Sequence, residues 1–235
     1  MRVALDTGAV ALDNLSGVAV SGLSVESEVL SLGGALLDDR AARGLGLAPP
    51  HVRTEVLTPA VPSGSLVRVY FVELLLRRGG SVIDRSVYWL STQPDVVNWR
   101  KMLGQPQSVI TQYANLRSLR SLPRSSVSAT ASTVRRTGPD GADLATAVMI
   151  TNTSSSTVAF LLRADVRRGT AGGRELPGDQ RAAVLAVAGQ RRHAVPRRVA
   201  DPDRHLQLCR PAGATPVTSL SGWNVPKIDI AAPVP

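Results

Sequence analysis

The sequence predicts an all-β protein of two β-sandwiches joined by an irregular linker. Three observations carry this expectation. Apolar residues alternate with small or polar ones over most of the chain, turn residues recur about every 8–12 residues, and one central segment rich in proline and glycine shows neither pattern. The 235 residues suffice for one large domain or two of roughly 100 residues, each able to bury a core.

Element by element, Val18, Val20, Leu23 and Val25 alternate with small or polar neighbours, and the run Glu28 to Leu32 leads into a Gly33-Gly34 turn. Arg53 to Val61 alternates again, and Pro62, Ser63 and Gly64 separate it from the apolar run Ser65 to Leu76. Arg77 to Gly80 reads as a turn, and Ser81 to Thr92 returns as a strand. The first sandwich is therefore placed at 1–92. Pro94, Asn98, Gly104, Pro106 and Pro123 interrupt the next stretch, so 93–125 reads as a linker, with a helical turn expected around Gln112 to Leu119. The second sandwich is placed at 126–235. Its strands are expected at Ser126 to Thr133, Leu144 to Ser154, Ser156 to Gly169 and Thr215 to Asn224.

Composition excludes several classes. No apolar run approaches the ~20 residues of a membrane-spanning helix, so no membrane partner is expected. Arg2 leads into a stretch broken by Asp6 and Asp13, and the sequence predicts no signal peptide of its own. With Cys209 as the one cysteine, an internal disulfide and a cysteine zinc cluster are both impossible. The formal charge of +9 would ordinarily point to nucleic acid. Seven arginines and two aspartates between Gln180 and Arg210 supply five of those nine charges, and that segment lacks aromatic residues for base stacking. No nucleic-acid partner is expected.

No catalytic, cofactor-binding or metal-binding constellation emerges. His51, His193 and His205 lack metal-ligand spacing, and there is no phosphate-binding glycine loop or nucleophile elbow. Glu26 and Glu28 share one face of a strand and form a conceivable carboxylate pair, but a solvated face on a half-buried strand is the expected state. Trp89, Trp99 and Trp223, with Tyr88 and Tyr113, are able to stack on sugar rings. Burial in a sandwich core or domain junction is the expectation for each.

The segment SVYWLSTQPDVVNW, Ser86 to Trp99, resembles the C-terminal portion of the actinobacterial exo-β-D-glucosaminidases of glycoside hydrolase family 2. TQYANLRSL from Thr111, NTSSSTVAFLLRADVRRG from Asn152 and ATPVTSLSGWN from Ala214 extend the resemblance in the same order. The resemblance implies that both sandwiches are immunoglobulin-like and that they are the last two domains of an enzyme whose catalytic (β/α)8 barrel is absent here. The family's acid/base and nucleophile glutamates belong to that barrel. None of Glu26, Glu28, Glu55, Glu73 and Glu175 matches a catalytic motif. The implied role is a non-catalytic accessory region, inactive alone, of an extracellular enzyme that releases glucosamine from the non-reducing ends of chitosan. Its implied partners are the parent's catalytic barrel and chitosan or another polysaccharide. A β-mannosidase-type member of the same family and a free-standing carbohydrate-binding module are the alternatives.

Gln180 to Arg210 departs from this pattern. Its alanines, valines and arginines show no period, and Pro196 and Pro202 oppose strand pairing. In the family this place usually carries a pattern of the kind W-x-D-N-x-V-T-L-x-P-G-E-S-x-T-L-T-V-T-Y. Codons permitted by the sequence, read one base downstream, accommodate a long consecutive run of it. Two compensating single-base indels, one near Gly178 and one near Gly213, are thus expected. The second sandwich is expected to be incomplete or disordered over 178–212, with 180–212 frame-shifted. The encoding DNA decides this: the shifted frame must spell an alternating Thr/Val strand ending in tyrosine.

Overall fold

A computed structural model describes residues 1–5, 7–49, 54–62, 68–138, 141–169, 181–184 and 215–231. The chain divides into two compact units, 1–122 and 123–235. Among the described residues, the paired strands of both units are antiparallel.

In the first unit, β1 (Arg2–Val3), β2 (Val10–Leu12) and a strand at Thr54–Leu57, β5, form one sheet in the order β1-β2-β5. The second sheet comprises β3 (Val20–Ser31), β4 (Leu36–Leu47), β6 (Val69–Arg78) and β7 (Ser81–Ser91), in the order β4-β3-β6-β7. Val3, Val10 and Leu12 of the first sheet pack against Leu23, Val25 and Val29 of β3 and Tyr70, Val72 and Leu74 of β6. This two-sheet core makes the unit a β-sandwich. Burial pushes the Tyr70 phenol above its ordinary pKa.

The alternation at Val20, Leu23 and Val25 and the run beginning at Glu28 belong to one strand, β3, which is unbroken over twelve residues. β4 is a strand that pattern reading misses. Its sequence LLDDRAARGLGL is charged and glycine-bearing, and most of it is exposed because it lies at the sheet edge. β6 shows the opposite signature. Val69 to Leu75 are all buried, so this inner strand reads as an almost continuous apolar run broken by Glu73. Gly79 and Gly80, at φ 55° and 80°, form the two-residue turn from β6 to β7. Positive φ at both central residues matches the right-handed twist of the paired strands.

The segment after β7 holds a small hairpin, β8 (Val96–Val97) with β9 (Ile110–Gln112), enclosing a short helix α1 (Trp99–Met102). The helical turn expected around Gln112 to Leu119 is displaced: a 3-10 turn occupies Arg117–Ser121.

In the second unit, β10 (Val127–Gly138) and β11 (Gly141–Asn152) form a long hairpin. β12 (Arg163–Gly169), β13 (Arg181–Val184), β14 (Thr215–Ser221) and β15 (Ile228–Ala231) form a sheet in the order β13-β12-β14-β15. Val148 and Ile150 of β11 pack against Ala164 of β12 and Leu220 of β14, with Val127 and Ile230 at the margin. The unit is again a sandwich of two antiparallel layers.

Two expectations change here. The strand expected over Ser156 to Gly169 begins only at Arg163. Val158, Ala159, Phe160 and Leu162 are buried ahead of β12, Leu161 takes φ 48°, and the Phe160 backbone is bonded to the turn at Trp223-Asn224. Within the stretch expected to resist pairing, Arg181–Val184 pair with β12 in register. The rest of 178–212, including the frame-shift expectation, lies outside the described residues.

Thr218 of β14 is fully buried and its Oγ1 has no hydrogen-bond partner among the described residues. A buried hydroxyl without a partner costs about 1–3 kcal/mol, so Thr218→Val is expected to stabilise the second unit by about 1 kcal/mol in urea denaturation.

Candidate functional site

β3 and β6 pair so that Glu28 stands directly opposite Glu73, and on the other side of β3 Glu28 stands opposite Asp39 of β4. The alternation of strand side chains puts Glu26 and Glu28 on one face, that turned away from Leu23, Val25 and Val29. Glu73 shares this face with Phe71 and Leu75, and Val87 and Trp89 of β7 complete it through their register with Glu73 and Phe71.

Opposed residues of an antiparallel pair have Cα atoms about 4.5–5.5 Å apart, so the Glu28 and Glu73 side chains leave the sheet next to each other, and a carboxylate pair of the kind a glycosidase uses must be considered. Access decides against that chemistry. Glu73 is 2% exposed and Glu28 is 5% exposed. Glu73 Oε1 accepts from Arg85 Nε at 2.7 Å, and Glu26 Oε2 accepts from Arg77 Nε at 3.1 Å. The solvated face expected for Glu26 and Glu28 is thus corrected: Glu28 is buried and Glu26 is half-buried and ion-paired. Leu30, Phe71 and Leu75 are buried on the same face as these carboxylates. Sequence reading missed the Glu28–Glu73 apposition because it depends on the register between strands separated by some forty residues. The detectable signal was a lone glutamate inside the apolar run of β6.

The aromatic residues also differ from expectation. Trp99 is 70% exposed and Tyr113 is 71% exposed, and Trp89 and Trp223 are exposed as well. Tyr88 alone among them packs at the margin of the first core, its Oη accepting from the Val3 backbone N–H. Glu55 is exposed. His51, His193, His205, Cys209 and Glu175 lie outside the described residues. Among the described residues no group of three or more His, Cys, Asp or Glu side chains is placed to hold a metal ion.

Trp223 stands on a rigid mount. Asn224 is buried, its Oδ1 accepting from the Phe160 backbone N–H and its Nδ2 donating to the carbonyls of Pro123 and Val158. The Asn224 carbonyl accepts from Ser125 N–H, and Trp223 N–H donates to the Phe160 carbonyl. A Cβ on Gly222 would lie 3.0 Å from the Phe160 carbonyl oxygen and 3.0 Å from Leu162 Cδ2. Because one obstacle is backbone, Gly222→Ala is expected to destabilise the second unit by about 1–3 kcal/mol, measured as a lower urea midpoint at unchanged slope.

No protein-family profile matches the chain. The chain is 35% identical over 156 residues to an exo-β-D-glucosaminidase of Streptomyces avermitilis, a match that covers 66% of this chain and 17% of that protein. It is 32% identical over 151 residues to an exo-β-D-glucosaminidase of Amycolatopsis orientalis, covering 63% of this chain and 14% of that protein. The crystal structure of the Amycolatopsis orientalis exo-chitosanase CsxA superposes with a TM-score of 0.70 at 26% identity, covering 98% of this chain and 26% of that one. The chain is homologous to the exo-β-D-glucosaminidases. A complex of CsxA with PNP-β-D-glucosamine superposes with a TM-score of 0.67 at 26% identity, covering 95% of this chain and 25% of that one. This homologue therefore corresponds to a small part of its relatives' length, and the sandwiches described above are the shared structure.

Proposed function

We propose that the chain is a non-catalytic accessory region of an exo-β-D-glucosaminidase of glycoside hydrolase family 2. The observation that carries this reading is coverage: 98% of the chain superposes on CsxA, yet it accounts for 26% of that protein. In this reading the two sandwiches are the C-terminal immunoglobulin-like domains of an extracellular parent. They support its catalytic barrel, which hydrolyses chitosan from the non-reducing end and releases glucosamine. The Glu28 and Glu73 carboxylates of the first unit serve structure, since Glu73 is buried and held by Arg85.

The test is an assay of the purified chain on p-nitrophenyl β-D-glucosaminide and on chitosan oligomers. No release of p-nitrophenol or glucosamine above a boiled control is expected. Steady turnover that Glu28→Gln or Glu73→Gln abolishes would overturn the reading and assign chemistry to the buried pair.

A further inference from the structure

The chain passes from the first unit to the second at Leu122-Pro123, and its backbone is held on both sides of that bond. On the first side, Ser91 Oγ donates to the Asn115 carbonyl at 3.1 Å, Asn115 N–H donates to the Gln93 carbonyl at 3.1 Å, and Asn115 Oδ1 accepts from Arg117 N–H at 3.3 Å. The 3-10 turn Arg117–Ser121 follows, with Leu119 buried, and Leu122 N–H donates to the Leu119 carbonyl at 3.4 Å. The next residue is already held by the second unit. The Pro123 carbonyl accepts from Asn224 Nδ2 at 2.8 Å, and Ser125 N–H donates to the Asn224 carbonyl at 2.9 Å.

Little backbone freedom remains between these holds. The proline ring fixes φ at Pro123, and a residue before proline is confined to extended backbone, as Leu122 is at ψ 127°. Past Pro123, Ser125 is buried with its Oγ donating to Asn152 Oδ1 at 3.1 Å, and Ser126 N–H donates to Ser154 Oγ at 2.6 Å. Asn224 lies 101 residues beyond Pro123, in the turn between β14 and β15, so its hold exists only once that turn has docked.

We propose that Asn224 is a latch on the joint, releasing Pro123 to Ser125 only when the second unit opens. The same side chain holds Phe160 N–H and the Val158 carbonyl in the second unit, so joint and core are released together. The turn Arg117–Ser121 opens with the first unit instead, and no independently opening segment separates the two. A protease cuts a segment that has opened, so cleavage at Pro123 to Ser125 is restricted to chains whose second unit has lost its fold.

Amide hydrogen exchange of the full chain, read residue by residue by NMR, tests the proposal. The Ser125 and Phe160 amides, both bonded to Asn224, are expected to share one protection factor and one dependence on low urea, at least about a hundredfold above a free peptide. Gly222→Ala, which weakens the second unit without removing the latch, is expected to lower both by the same factor, about fivefold or more. The Leu119 amide, bonded within the first unit, is expected to keep its protection in that variant. Ser125 exchanging near the free-peptide rate, Ser125 departing from Phe160, or Leu119 falling together with them would each overturn the proposal. If Gly222→Ala does not fold, the unsubstituted chain decides: Ser125 must follow Phe160 through the urea series, and Leu119 must not.

Discussion

Asn224→Ala is expected to cost about 3–5 kcal/mol and to leave the second unit largely unfolded under conditions where the first remains native. The substitution orphans three backbone groups at once: the Phe160 N–H and the carbonyls of Pro123 and Val158. A buried group without its partner loses its hydration and regains nothing, at about 1–3 kcal/mol each. Asn224→Asp is expected to be no better. Its carboxylate still accepts from Phe160 N–H but turns an acceptor toward two carbonyls that need a donor. Trp223 is the single tryptophan of the second unit, so urea denaturation in a Trp89→Phe, Trp99→Phe background isolates that unit by fluorescence. A loss below about 1 kcal/mol would show that water replaces the amide without penalty.

Arg85→Ala is expected to destabilise the first unit by about 3–5 kcal/mol, because it leaves the buried Glu73 carboxylate without its 2.7 Å partner. Replacing both members, Glu73→Leu with Arg85→Met, is expected to recover most of that loss. Removing two buried charges together also removes the desolvation penalty that each carries. The double-mutant cycle, followed by guanidinium denaturation, checks this. An additive double variant would mean that the two side chains act independently despite their contact.

The two predictions mark different depths of legibility. SGWN at Ser221 to Asn224 was recognisable as a motif, and the structure shows that its asparagine closes the second unit while its tryptophan faces outward. Nothing local could reveal this. The partners of Asn224 Nδ2 lie 101 and 66 residues away in sequence. Strand reading worked where an element is buried on one or both faces, as in β3 and β6, since burial imposes the apolar pattern. It failed on β4, an exposed edge whose charged residues look like a loop, and on Ser156 to Leu162, whose buried apolar run imitates a strand. The aromatics failed for a related reason: residue type predicts burial only on average, and the hairpin at 96–112 places Trp99 and Tyr113 outside.

The sequence by itself determined the all-β class and most of the buried strands of the first unit, and its motifs carried the kinship with the exo-β-D-glucosaminidases. These follow from local period and turn chemistry, which neighbouring residues encode together. The tertiary structure alone decided which charges and aromatics are inside. Glu28 meets Glu73, and Arg85 neutralises Glu73, only through the register of three strands. A one-residue slip would turn each of these side chains to the opposite face, so burial of charge is a property of pairing that no single strand's sequence contains.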